Sequence, residues 1–178
     1  MPEPGAAQIT VHGTCVDIAG TGVLILGSPG AGKSDLALRL IDAPGCGLGP
    51  ALLRARLVAD DQVVLSRDAG DVFATAPARL AGLLEVRGIG ILELDVHHRS
   101  RVGLIVRLAE TAAIERLPEA ADTVEELLGV RLPSIRIDPR PASAASRVRA
   151  ACQALAGPAF PVRLTLSTEG LRLPATAD

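Results

Sequence analysis

The stretch Gly27-Ser28-Pro29-Gly30-Ala31-Gly32-Lys33-Ser34 fits the pattern G-x-x-x-x-G-K-[ST]. Glycines at that spacing let successive backbone N–H groups curl round an anion with no Cβ in the way. Lys33 reaches toward the β- and γ-phosphates of a nucleoside triphosphate, and the Ser34 hydroxyl suits a magnesium ion. A phosphate cradle leaves open whether the γ-phosphate goes to water, a metabolite or a protein, so the remaining polar residues decide. Asp60 and Asp61 stand together in the apolar run "RLVADDQVVL". In a strand they point to opposite faces, one free to bury or pair while the other meets a site; the plainer alternative is a pair capping a turn. In "LLEVRGIGILELD", Glu85 and Arg87 beside Gly88 and Gly90 suggest backbone brought close to a ligand, against the simpler reading of a solvated hairpin with an ion pair.

Such residues need a strand before the loop and a helix after it. "VLIL" at Val23–Leu26 has the look of a buried strand. Ser34–Ile41 places Leu36, Leu40 and Ile41 at helical spacing ahead of Pro44. Short strands are expected at Ile9–Val11 and Cys15–Ala19. One strand is expected over "RLVADDQVVLS", with "RDAGD" as a hairpin turn and "VFATA" as its return. "GILELDV", "RVGLIVRLA" and "SIRID" read as further strands, Thr123–Leu128 as a short helix, Ala142–Ala156 as a helix, and "VRLTLS" as an edge strand. No repeat or low-complexity linker divides the chain, so residues 1–178 are expected to form one domain with a flexible start over residues 1–8.

Composition limits the partners. The chain has 178 residues, 48% of them apolar, which is ample for a core, and Phe73 and Phe160 are its only aromatics. With 18 basic and 20 acidic residues the net charge is −2, so no positive field draws a polyanion and no aromatic platform stacks bases along a strand; nucleic acid is not expected as a partner. Cys15, Cys46 and Cys152 are odd in number and widely spaced, which fits a reducing compartment. No basic-then-apolar leader and no long uncharged apolar stretch is present, so a cytoplasmic protein without a membrane span is expected.

The order His12-Gly13, "GSPGAGKS", "RLVADD" and "LLEVRGIGIL" resembles the catalytic domain of HPr kinase/phosphorylase from about Val11 to Leu92. That resemblance implies an α/β phosphate-loop domain related to phosphoenolpyruvate carboxykinase, a mixed sheet with flanking helices. It implies ATP at Gly27 through Ser34 and magnesium at Ser34 and Glu85. It implies transfer to a serine of the phosphocarrier protein HPr, reversal with inorganic phosphate to give pyrophosphate, and hexamers. The Asp60–Asp61 pair would supply the proton acceptor, with Asp61 preferred; His12 falls on the family's catalytic histidine and Arg116 on a late catalytic arginine. Three departures stand out. With His12 so near the start of the sequence, the family's separate N-terminal domain is expected to be absent. The Gly/Pro-rich insertion "APGCGLGPALL" over residues 43–53 is expected to lie near the site. "IDPRPASAAS", Ile137–Ser146, replaces a glycine-containing basic loop tied to phosphorolysis, which puts that activity in doubt. A kinase acting on a small metabolite and a nucleotide-binding sensor without catalysis remain as rival readings.

Overall fold

The computed structural model describes residues 8–155. The expected strand "VRLTLS" and residues 1–7 lie outside that range. Strands β1 (Gln8–His12), β2 (Thr14–Ile18) and β3 (Thr21–Leu26) precede helix α1 (Lys33–Asp42). Strands β4 (Ala55–Ala59), β5 (Gln62–Asp68) and β6 (Asp71–Thr75) follow. The hairpin β7 (Leu83–Val86) and β8 (Gly90–Glu93) leads to β9 (Ser100–Leu108), β10 (Val124–Leu127), β11 (Val130–Ile137) and α2 (Ala144–Leu155). Among the described residues the main sheet runs β1-β5-β6-β9-β3-β2-β4, and β11 joins β9 and carries β10. Strand β3 is parallel to β9, and β9 to β11, whereas the other pairings are antiparallel. Three parallel strands therefore end on one edge, the edge from which the Gly27–Ser34 loop springs. This is a mixed-sheet α/β fold, as expected.

Alternation along the central strands builds two cores. Val23 and Ile25 pack with Leu36, Leu40 and Val148 on the helix side; Leu24 and Leu26 pack with Val63, Leu65 and Val72 on the other. On β9 the alternation slips once. Gly22 pairs with Val102 but Val23 pairs with Leu104, so Gly103 is left as a bulge and Val102 and Leu104 fall into opposite cores. A Cβ on Gly103 would meet Thr21 Cγ2 at 2.8 Å.

Two expectations are corrected. The run "RLVADDQVVLS" is two strands, not one: β4 ends at Ala59, β5 starts at Gln62, and Asp60 and Asp61 form the connection, with Asp61 at φ 64. Thr123–Leu128 is not a helix of its own: Thr123 closes a 3-10 turn that begins at Ala120. The chain then enters β10, whose Val124–Leu127 pair with Val130–Pro133 across a turn at Leu128 and Gly129, both at positive φ. Glu125 is held there by Arg107 at 2.7 Å and the Ser134 hydroxyl at 2.6 Å, and these contacts keep its carboxyl below the usual range. Tertiary pairing overrides a helix-favouring composition.

The 43–53 segment is also not where it was expected. It leaves the C-terminal end of α1, a helix of 10 residues, so about 15 Å separates it from the phosphate loop. Helix α2 holds it: the buried Arg149 donates to the carbonyls of Leu40 (2.7 Å), Ala43 (2.6 Å) and Leu53 (3.3 Å). Gln153 accepts from Leu48 N and donates to Cys46 O, each at 2.7 Å.

Candidate active site

The phosphate loop is preformed. Gly30 and Gly32 take φ 78 and 95, a region closed to most side chains, and Gly32 is the N-cap of α1, its carbonyl receiving Leu36 N at 2.9 Å. A Cβ on Gly27 would press on Leu108 Cβ at 3.1 Å and Ala31 Cβ at 3.3 Å. The hollow thus depends on glycine. Lys33 folds back over it, its Nζ donating to Gly27 O and Ser28 O at 3.1 Å each. Burial pulls its ammonium below the ordinary value, while Asp60 and Asp61 pull the other way. A cation held over backbone N–H groups at a helix N-terminus is suited to a polyphosphate.

Asp60, 4% exposed, is fixed on every side. Oδ1 accepts from Thr14 Oγ1 at 2.6 Å and Ser34 Oγ at 2.9 Å; Oδ2 accepts from Ser34 Oγ at 3.0 Å and Glu85 N at 3.2 Å. Asp61 is in a different position. Its side chain is 62% exposed and reaches His12 Nδ1 at 3.2 Å. The same nitrogen lies 3.0 Å from the Asp61 carbonyl, which also receives Gly13 N at 3.2 Å. Gly13 itself packs directly on β3, where a Cβ would lie 2.9 Å from Leu26 Cδ2 and 3.0 Å from Ile25 O.

One cleft of about 450 Å³ joins these groups: His12, Pro29, Gly30, Gly32, Lys33, Ser34, Asp60, Asp61 and Glu85 all line it. Gly27, Ser28 and Ala31 complete the loop beneath, Ser28 and Ala31 facing a neighbouring cavity. Arg116 is not brought in; it is exposed in the 114–119 stretch and lines neither cavity. Glu85 and Arg87 both face the cleft from the β7–β8 hairpin, and among the described residues they form no ion pair with each other. The oxygen-only set of Ser34, Asp60 and Glu85 suits magnesium, a hard cation that keeps several waters and takes one or two carboxylates beside substrate phosphates. Thr14, fully buried, is a contributor that no sequence motif marks, and Arg87 lines the cleft without a role that its sequence spacing assigns.

Known proteins resemble this chain in sequence and in fold. Residues 4–155 match the family model described as HPr Serine kinase C-terminal domain. HPr kinase/phosphorylase of Bordetella pertussis is 41% identical over 143 residues, covering 74% of this chain and 43% of that protein. HPr kinase/phosphorylase of a Thermoanaerobacter species is 35% identical over 152 residues, covering 79% and 46%. The chain thus spans less than half the length of these curated relatives. The structure of the Hpr(Ser) kinase/phosphatase from Coxiella burnetii superposes with a TM-score of 0.66 at 26% identity, covering 84% of this chain and 99% of that one. With its phosphate loop, fixed Asp60 and exposed Asp61 inside the matched residues, the chain belongs to the HPr serine kinase C-terminal domain family.

Proposed function

We propose that the chain is an ATP-dependent kinase that phosphorylates a serine of HPr in the cytoplasm. The observation that supports this most is the division of labour within the acidic pair. Asp60 already accepts from three donors, the hydroxyls of Thr14 and Ser34 and the Glu85 N–H, so it holds Ser34 and the cation site rather than a mobile proton. Asp61, exposed in the same cleft and oriented by His12, is placed to take the proton of an attacking hydroxyl. Lys33, the loop N–H groups and the N-terminus of α1 neutralise the β- and γ-phosphates during in-line transfer. Ser34, Asp60 and Glu85 would hold magnesium, which would supply further neutralisation of the phosphate charge.

Labelled ATP offered with HPr, and separately with a panel of hydroxylated metabolites, tests the acceptor. Label on HPr alone is expected; label on a metabolite identifies a small-molecule kinase, and ATP binding without transfer identifies a sensor. Within the same assay Glu85→Gln is expected to raise the magnesium concentration needed for half-maximal rate several-fold. An unchanged magnesium curve takes Glu85 out of the metal site.

Direction of transfer follows from the segment after β11. The backbone N–H of Arg140, a candidate anion donor, is already given to Asp138 Oδ1 at 3.0 Å, and Pro139 and Pro141 have no N–H to offer. Phosphorolysis is therefore expected to run far slower than phosphorylation. Pyrophosphate release from serine-phosphorylated HPr with excess inorganic phosphate measures this, and release as fast as the forward reaction would show that the segment is harmless.

A further inference from the structure

The sheet order sets the two sides of the phosphate loop apart. Thr14, at the start of β2, and Asp60 and Asp61, after β4, lie to one side of β3; β9 and β11 lie to the other. The chain that follows these two parallel strands, Leu108–Glu110 and Asp138–Arg140, closes a second cavity of about 440 Å³ against Ser28, Gly30 and Gly32. Ligands of parallel sheets sit outside the carboxyl ends of the strands. A triphosphate held with its γ-phosphate toward Asp61 would leave the loop on this second side, which makes the cavity the candidate site for its nucleoside. Leu108, Ala109 and Pro139 give it apolar walls. It has no aromatic wall: Phe73, the one aromatic among the described residues, is on β6 with its ring under Arg99.

What the cavity has instead is a locked guanidinium. Arg140 donates Nε to Asp138 Oδ1 at 3.0 Å and Nη2 to Oδ2 at 2.8 Å, a two-bond clasp that fixes the plane of the group. Asp138, 2% exposed, is itself fixed by Thr111 through N at 3.1 Å and Oγ1 at 2.6 Å. Arg39 pins the backbone on either side, donating to Pro139 O at 2.5 Å and Pro141 O at 3.5 Å. The Arg140 side chain nevertheless stays 67% exposed. Its charge is met by Asp138 and its edge is used, which leaves its flat face.

We propose that Arg140 is the platform on which the base of the bound nucleotide stacks, in place of the aromatic side chain this cavity lacks. A rigid guanidinium plane stacks on π-systems, and lysine, a point charge on a flexible stem, does not replace it. The proposal rests on the reading that Gly27–Ser34 holds a nucleoside triphosphate. Calorimetric titration of the full chain with ATP and with inorganic tripolyphosphate, both in magnesium, separates the two claims. Arg140→Lys and Arg140→Ala are each expected to weaken ATP binding about tenfold while leaving tripolyphosphate binding unchanged. Arg140→Lys binding ATP like the parent, or tripolyphosphate weakening as much as ATP, overturns the platform and leaves the loop assignment standing. A parent chain that binds neither ligand overturns both.

Discussion

Asp61→Asn is expected to lower the rate of serine phosphorylation by roughly 10²- to 10⁴-fold, the span ascribed to a positioned proton acceptor, while the Kd for ATP stays within a few fold. The substitution keeps the shape of an exposed side chain and leaves the turn at φ 64 intact, since asparagine also tolerates the left-handed region. Asp60→Asn acts differently. Its amide could satisfy the hydroxyls of Thr14 and Ser34 through oxygen, but its NH₂ would then face Glu85 N–H, so thermal stability falls along with activity. If Asp60→Asn produces the selective loss of transfer and Asp61→Asn does not, the proton acceptor is Asp60.

Lys33→Ala is expected to reduce transfer by roughly 10²- to 10³-fold with the fold retained. Lys33 is 7% exposed, and its ammonium is pulled below its ordinary value by burial. Removing it loses the bonds to Gly27 O and Ser28 O but also removes a desolvated cation, and helix α1 remains anchored through Leu36 and Leu40. A thermal midpoint close to the parent's, together with a collapsed rate, is the expected pair of results. Near-parent turnover in the folded variant would remove Lys33 from the transfer step.

What could be read before the structure was what local pattern controls. The loop from Gly27 to Ser34 and helix α1 follow from glycine spacing and the Leu36–Leu40 stripe, both properties of neighbouring residues. The turn at Asp60 and Asp61 was legible only as the alternative to a continuous strand, because the apolar runs on both sides of the pair favour β structure and no glycine or proline separates them. Thr14 meets Asp60 across 46 positions, and Arg149 reaches the 43–53 segment across about a hundred, so neither contact leaves a local trace. Arg140 was legible only as a basic residue between prolines; its clasp on Asp138 and its place beside the phosphate loop emerge once β9 and β11 lie parallel.

In the proposed reaction one cleft, lined by Lys33, Ser34 and Asp61, holds the γ-phosphate and hands it to a serine hydroxyl at Asp61. The most direct measurement is to incubate the chain with γ-labelled ATP, magnesium and HPr, then to identify the labelled residue by peptide mapping. Acid-stable phosphate on a single serine of HPr, absent when Asp61→Asn replaces the parent, is the predicted result. Label released only as inorganic phosphate, or found on a residue other than serine, would contradict it.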